Sequence, residues 1–155
     1  MRSARGVTLM EMVVVMAIIG LMAAITAPSV SAGLDSVRLV SATGSISAFL
    51  NAAVNYSERH QQPVELVITP RESRLAAYSN DGGLRRELNL PDGILLEGVL
   101  PQIPDDQDPV RRLVLLPGAS VPGIGIQIAS RRGARRIVRL DPMTGFPRVE
   151  SVEGK

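Results

Sequence analysis

The stretch VTLMEMVVVMAIIGLMAAITA, from Val7 to Ala27, decides the fold of this chain. It is apolar apart from two threonines and one carboxylate, Glu11. As a helix rising about 1.5 Å per residue it reaches about 31 Å, close to the ~30 Å hydrocarbon thickness of a bilayer. The stretch therefore predicts a membrane-spanning helix, and the carboxylate near one end of it calls for a partner.

The flanking residues predict how this helix is oriented and processed. Residues 1–6 are short and basic, whereas residues 29–36 contain no Lys or Arg, so the positive-inside rule places the N-terminus in the cytoplasm. Two cleavage sites compete. A signal peptidase cut after Val30-Ser31-Ala32 would leave a mature chain starting at Gly33 and would discard the helix. A cut between Gly6 and Val7 would keep the helix in the mature protein.

These residues resemble the N-terminus of type IV pilins and type II secretion pseudopilins. The matching features are Gly6 before the cut, Glu11 at the fifth position after it, the apolar run that follows, and Pro28 at its end. Val7 stands where the family usually has Phe. The resemblance implies cleavage of residues 1–6 by prepilin peptidase and N-methylation of Val7. It also implies an assembly role for Glu11.

A physical argument supports that role of Glu11. Cleavage would give Val7 a new α-amino group, which carries a proton near neutral pH and lies at membrane depth. The Glu11 carboxylate of one subunit and the Val7 amine of a neighbour would each relieve the other's desolvation. We therefore expect Glu11 to be an assembly contact. Pro28 removes one helical hydrogen bond, so we expect the helix to bend there.

Composition limits what the rest of the chain can be. Of 155 residues, about 90 to 100 remain for one small domain beyond the leader and helix. There is no Cys, which excludes disulfides, catalytic thiols and thiolate metal sites. The net charge is +2, and sixteen of the seventeen basic residues are Arg, which suggests an acidic partner.

Beyond residue 28 the apolar residues keep a helical spacing as far as about residue 62, before Pro63. The apolar positions of this amphipathic helix are Leu34, Val37, Ala42, Ile46, Phe49, Leu50, Ala53 and Val54. After Pro63 the period is that of strands, with turns rich in Gly, Pro, Asn and Asp. The predicted strands cover residues 64–69, 74–79, 84–88, 94–99, 112–116, 124–130, 135–140 and 146–150. The fold class predicted is α+β and pilin-like, with a long helix packed on a small antiparallel sheet or sandwich.

The expected organisation is a cleaved leader at residues 1–6, a transmembrane and polymerisation helix at 7–28, an amphipathic continuation at 29–62, and a periplasmic β-rich domain at 63–155. The protein would cross the inner membrane once. Its expected partners are other pilins or pseudopilins through the N-terminal helix, prepilin peptidase, and an inner-membrane assembly platform. No enzymatic activity and no cofactor are expected, since no set of residues forms a nucleophilic triad.

The C-terminal part resembles minor pseudopilins of the GspH/FimT type. The residues that carry this resemblance are Leu115–Ser120, Ile124–Ile128, Arg136–Leu140 and Asp141–Gly145, which read as a strand with a Gly turn, a hairpin, and a second Gly turn. The resemblance implies a minor pseudopilin near the tip of a periplasmic pseudopilus that helps to export folded proteins.

An arginine-rich hairpin supports an alternative function. Five arginines fall within nine residues around a predicted turn: Arg131, Arg132, Arg135, Arg136 and Arg139. Such a cluster can contact phosphates, and FimT-like minor pilins are associated with DNA uptake. With two Phe, two Tyr and no Trp, base stacking would be limited. The simpler interpretation is a solvated hairpin.

Other candidate sites have simpler explanations. His60 lies at the predicted helix end, where a cation favours the helix dipole, so a surface cap is expected. Asp105, Asp106 and Asp108 offer oxygen ligands for Ca²⁺, but their spacing is not that of an EF-hand, and a solvated loop is the alternative. The Gly-rich residues 117–125 lack the Gly-Lys-Ser/Thr ending of a phosphate-binding loop and are explained by turns.

Overall fold

The computed structural model describes residues 8–102 and 110–152, except for the side chains of residues 27–32. The chain divides into two compact units, Met1–Leu34 and Asp35–Lys155. One α-helix, α1, spans Leu9–His60, and a short 3-10 helix spans Pro70–Glu72. The strands are β1 Val64–Thr69, β2 Arg74–Ser79, β3 Arg85–Asn89, β4 Ile94–Leu100, β5 Arg111–Leu115, β6 Gly125–Ser130, β7 Arg135–Leu140 and β8 Pro147–Val152.

Helix α1 begins with a capped first turn. The Thr8 carbonyl accepts a hydrogen bond from the Met12 N–H at 3.2 Å, and the Thr8 hydroxyl accepts one from the Glu11 N–H at 3.3 Å. A threonine in this position satisfies amide groups that have no partner within the helix. Pro28 lies within α1, among the residues whose side chains are not described, so the bend stays a prediction.

The domain part of α1 buries one stripe, formed by Leu39, Ala42, Ile46, Leu50 and Ala53. This spacing of three and four is the helical period, and it places one face on the core. The predicted stripe started at the wrong residues, since Leu34 is 52% exposed and Val37 is 66% exposed. Leu39 lies two positions after Val37, which is about 200° around a helix, so the two side chains point in nearly opposite directions.

The strands form two antiparallel four-stranded sheets. Sheet A has the order β3-β2-β1-β5, and sheet B has the order β4-β6-β7-β8. Side chains from both sheets and from α1 form one buried cluster; its fully buried members include Ile46, Leu50, Leu66, Ile68, Leu75, Ile126, Ile128, Val138 and Leu140. The α+β fold class is confirmed, and the predicted strand ends lie within two residues of the observed ones.

The chain changes sheet three times, after β3, after β4 and after β5. Strand β4 belongs to sheet B, the next strand β5 pairs with β1 in sheet A, and β6 returns to sheet B beside β4. The register of β4 shifts between Leu96 and Gly98, which places Glu97 in a bulge. A bulge of this kind turns a side chain in a new direction.

Candidate functional site

The first turn of α1 carries Glu11 in an exposed position. An acid there is favoured by the positive end of the helix dipole. Within the part of the chain that the structure describes, its carboxylate forms no salt bridge. Gly6 and Val7, the predicted cleavage and methylation residues, lie outside the described residues. The predicted contact of Glu11 joins two subunits, so it stays a prediction for a single chain.

The helical stretch that contains Glu11 presents apolar side chains on all sides. Leu9–Thr26 has a mean hydropathy of 2.3, and none of it is buried within the chain. Leu9, Met16 and Leu21 are 83%, 70% and 65% exposed. A helix that is apolar on all sides needs lipid or other apolar helices around it. This stretch is long enough to cross a membrane and fits a membrane-anchored N-terminus.

The arginine hairpin is built by β6 and β7, with Arg131 and Arg132 in the turn between them. Three of its guanidinium groups meet carboxylates. The Nε atoms of Arg132, Arg135 and Arg139 lie 3.1, 3.0 and 3.1 Å from oxygens of Asp35, Glu97 and Glu150 respectively. The three arginine side chains are 41 to 46% exposed, so each salt bridge contributes little to the stability of the domain.

Strand alternation separates the five arginines. Arg135 and Arg139 lie on the outer face of sheet B, whereas Arg136 lies on the same face as the buried Val138 and Leu140. The structure therefore brings these arginines to one hairpin, though not to one face. Arg131 and Arg136 form no salt bridge with any residue that the structure describes.

His60 is the last residue of α1, and its ring stacks on that of Tyr56 with the centroids 4.2 Å apart. The Tyr56 hydroxyl donates a hydrogen bond to Asp81 Oδ2 at 2.9 Å. Asp81 also accepts hydrogen bonds from the Ser79 hydroxyl and, at 3.0 Å, from the Gly83 N–H. These bonds lower the pKa of Asp81 below its ordinary value, and the bond from Ser79 contributes most to the shift. The cluster ties the helix end to the β2–β3 turn.

Asp141 organises a second turn, between β7 and β8. Its carboxylate accepts hydrogen bonds from the N–H groups of Met143 and Thr144 at 2.9 and 3.2 Å. These two bonds lower the pKa of Asp141, and Arg148 at 3.0 Å acts in the same direction. The pattern is that of an Asx turn, which explains the Asp without a catalytic role. The contact between Tyr56 and Asp81 joins residues 25 positions apart in the sequence, and no local signal predicts it.

Within residues 8–102 and 110–152, no three His, Asp or Glu side chains come together in a group that could hold a metal ion. Asp105, Asp106 and Asp108, the candidate Ca²⁺ ligands, lie outside these ranges. Of the Gly-rich residues 117–125, all but Gly125 lie in the connection from β5 to β6, and Gly125 begins β6. Gly118 has a φ of +68° and donates its N–H to Glu58 Oε1 at 3.1 Å, so a turn is stabilised there by the helix.

Comparison with known protein families gives a match at the N-terminus. The family described as the prokaryotic N-terminal methylation motif matches residues 1–27. No match was found among curated proteins or solved structures. The matched residues include Gly6, Val7 and Glu11 and most of the apolar helix. This chain therefore carries the prepilin signal of type IV pilin-like proteins at residues 1–27. The signal includes the start of the long helix α1, and an α+β domain follows it.

Proposed function

We propose that this protein is a minor pseudopilin of a type II secretion system. It would assemble into a periplasmic pseudopilus, near the tip, and act there as a structural subunit in the export of folded proteins. One observation carries the proposal: a single carboxylate, Glu11, lies in the first turn of α1, at the start of the apolar and unburied segment Leu9–Thr26, within the methylation motif. The resemblance of the C-terminal strands to the GspH/FimT type supports the minor role.

The proposed order of events follows from the charges at the helix start. Prepilin peptidase removes residues 1–6, and the new Val7 amine is methylated. The N-terminus faces the cytoplasm, and the domain lies in the periplasm beyond Pro28. On transfer from the bilayer into the filament, the Glu11 carboxylate meets the Val7 amine of a neighbouring subunit. That pairing favours one axial register, because a slipped register would leave two unpaired charges in an apolar environment.

Within the filament the exposed side chains of Leu9–Thr26 would pack against the same segments of other pilins or pseudopilins. An inner-membrane assembly platform would bring the subunits together. The domain part of α1 already uses its apolar stripe for its own core. The contacts between subunits therefore fall mainly to the N-terminal segment.

The test combines processing with assembly. Glu11→Ala should still give a mature chain that starts at Val7, by mass spectrometry, while its co-purification with partner pseudopilins is lost. Met12→Leu, which keeps an exposed apolar side chain of similar size beside Glu11, is the matched control. Normal assembly of Glu11→Ala would contradict the proposal. A mature chain that starts at Gly33 would do so as well, since the helix would then be absent.

A second function rests on the arginine hairpin: a FimT-like minor pilin of a type IV pilus that binds DNA for uptake. Arg131 and Arg136 form no salt bridge with a described residue, and Arg131 lies exposed in the turn, so these are the two hairpin guanidinium groups whose charge no described carboxylate neutralises. The full chain in detergent should then shift labelled DNA at low salt, and an Arg131→Ala, Arg136→Ala double variant should not. Arg71→Ala is the control. Absence of any shift at low salt would eliminate this function.

A further inference from the structure

A groove lies between the domain part of α1 and strand β3, one of the two edge strands of sheet A. It consists of two adjoining depressions of about 260 and 240 Å³. Arg86 lines both of them and so marks the centre of the groove. On the helix side the small or short residues Ser45, Ala48, Ala52 and Asn55 alternate with the larger Phe49, Tyr56, Arg59 and His60. The smaller side chains leave room for an occupant along the sheet edge.

The edge of β3 has unused backbone groups. The Ser79 N–H bonds to the Leu84 carbonyl, and the Leu90 N–H bonds to the Ser73 carbonyl, both at 3.0 Å. Between these two bonds the antiparallel register makes every second residue of β3 bond to β2. The N–H and C=O groups that point away from β2 belong to Arg85, Glu87 and Asn89. Such a row is a template for another extended backbone.

The groove is positively charged. Arg86 shares its strand face with Leu88, which packs against the core, so its side chain lies on the α1 side of the sheet. Arg59 and His60 line the same depression. Within the described chain, neither Arg59 nor Arg86 forms a salt bridge. Two guanidinium groups without a carboxylate therefore face one concave surface.

Two acidic residues lie at the groove and both have other partners: Glu87 lines one depression, and Asp81 accepts a hydrogen bond from Tyr56, which lines the other, as well as from Ser79 and Gly83. Glu87 Oε1 accepts a hydrogen bond from the Tyr78 hydroxyl at 3.3 Å and lies 3.9 Å from Arg85 Nη2. Strand alternation places these three side chains on the opposite face of sheet A from Arg86. The Glu87 carboxylate therefore does not neutralise Arg86 across the groove.

We propose that this groove binds an extended, acidic segment of a second polypeptide, which adds to sheet A beside β3. Its backbone would pair with Arg85, Glu87 and Asn89, and one of its carboxylates would meet Arg86. Only a polypeptide offers the alternating N–H and C=O groups that the edge requires, since a phosphodiester backbone has no N–H donor. The surface lies on the domain, so this inference does not depend on the proposed function.

The side chains of the added strand would alternate between the two faces of sheet A. Those on the α1 side would meet Ala48, Phe49 and Leu88 in one depression and Arg86 with Arg59 in the other. The fitting segment therefore has an apolar residue and an acidic residue two positions apart. A fluorescein-labelled peptide of about ten residues, with Val and Glu in turn separated by Thr, reproduces this pattern.

The first test measures peptide binding by fluorescence anisotropy, with the full chain in nonionic detergent. Arg86→Glu should weaken binding by about tenfold or more, because a carboxylate would then face a carboxylate. Arg71→Glu, which reverses an exposed charge away from the groove, should bind as the parent does. A peptide with Lys in place of Glu should not bind. Circular dichroism and the thermal midpoint show that both variants are folded.

A second measurement tests the backbone pairing. Hydrogen exchange of the Arg85, Glu87 and Asn89 amides should slow when the peptide binds. Peptide N-methylated at alternate residues in the edge-facing phase should lose binding, and peptide methylated in the other phase should keep it.

Three results would overturn the proposal. One is absence of peptide binding, or equal binding by Arg86→Glu and Arg71→Glu. Another is competition by short DNA that binds more tightly than the peptide and depends on Arg86, because the groove would then be a nucleic-acid site. The third is self-association of the chain through β3, seen by sedimentation, without peptide binding.

Discussion

The two parts of α1 have similar backbones and different surroundings. Leu9–Thr26 has a mean hydropathy of 2.3 and no buried share, whereas Gly33–His60 has a mean hydropathy of 1.3 and is 39% buried within the chain. By length and composition alone, both are long and apolar enough to cross a membrane. The difference lies in how the apolar residues are arranged around the helix: on all sides in the first part, and in one stripe in the second.

This comparison shows what each part uses as its apolar environment. In the second part, Leu39, Ile46 and Leu50 contact the protein's own sheets, and other faces carry Ser, Asn and Arg. In the first part, only Glu11 is ionisable, and the described residues bury none of the apolar side chains. Substitutions that are similar in chemistry should therefore have different consequences in the two parts.

The largest expected effect is on the folding of the domain. Leu50 is 0% exposed, so Leu50→Ala should lower the free energy of unfolding by about 2 to 5 kcal/mol. Leu21→Ala, at a position 65% exposed, should leave it unchanged. Urea unfolding of the full chain in detergent measures both. Equal destabilisation by the two variants would show that the two parts do not differ as described.

A charge in the first part should act on membrane insertion. Ile18→Arg should cost about 2.5 to 3.5 kcal/mol of insertion free energy, measured as the inserted fraction in isolated membranes. Val40→Arg, at a position 49% exposed in the second part, is the control and should insert like the parent. If Ile18→Arg inserted as well as the parent, Leu9–Thr26 would not be the membrane segment.

Asp81, which accepts a hydrogen bond from Tyr56 near the end of α1, should make the stability of the domain depend on pH. Hydrogen bonds hold Asp81 in its charged form and lower its pKa. Its contribution to stability is therefore complete above about pH 4, the unfolded value, and is lost as the pH falls through the folded value. Asp81→Asn should lower the thermal midpoint at pH 7 and show a smaller further loss between pH 7 and pH 3. Tyr56→Phe should keep most of the parent's acid sensitivity, since the Ser79 and Gly83 bonds remain.

The smallest effect compares two threonines of α1. Thr26 and Thr43 each donate a side-chain hydrogen bond to the carbonyl four residues earlier, at 2.7 and 2.6 Å. Thr43 is buried in the domain, so Thr43→Val should change its free energy of unfolding by less than about 1 kcal/mol. Thr26→Val should leave domain stability unaltered in the same urea titration. A large loss at either position would mean that the hydroxyl has a further partner.

The sequence predicted the elements of the fold well because their signals are local. Strand ends followed from Gly, Pro and Asp turns, and the helix end followed from Pro63. The apolar stripe was only partly correct, since Leu34 and Val37 are as apolar as Leu39 and the helix face that meets the sheets is decided by tertiary packing. Residue type alone does not show which side of a helix a sheet will cover.

The candidate sites depended on longer-range geometry. The five arginines are a cluster in the sequence, but strand alternation divides those of β7 between two faces of sheet B. Their carboxylate partners, such as Glu97 and Glu150, lie on other strands. The groove at β3 was not foreseen, because its helix side and its strand side are distant in the chain. Glu11 was recognised because a lone acid in an apolar run is itself a local signal.

The return of β5 to sheet A has a consequence for how the domain is made. A chain that emerges N-terminus first completes α1, β1 and β2 long before β5 appears, so the second edge of β1 stays unpaired until residues 111–115 arrive. Sheet B likewise has only β4 until β6 arrives, because β5, which lies between them in the sequence, belongs to sheet A. Non-local pairings of this kind form late and slowly. No single cut of the chain separates the two sheets, so the domain is expected to gain its stability in one cooperative step, after β5 and β6 have emerged.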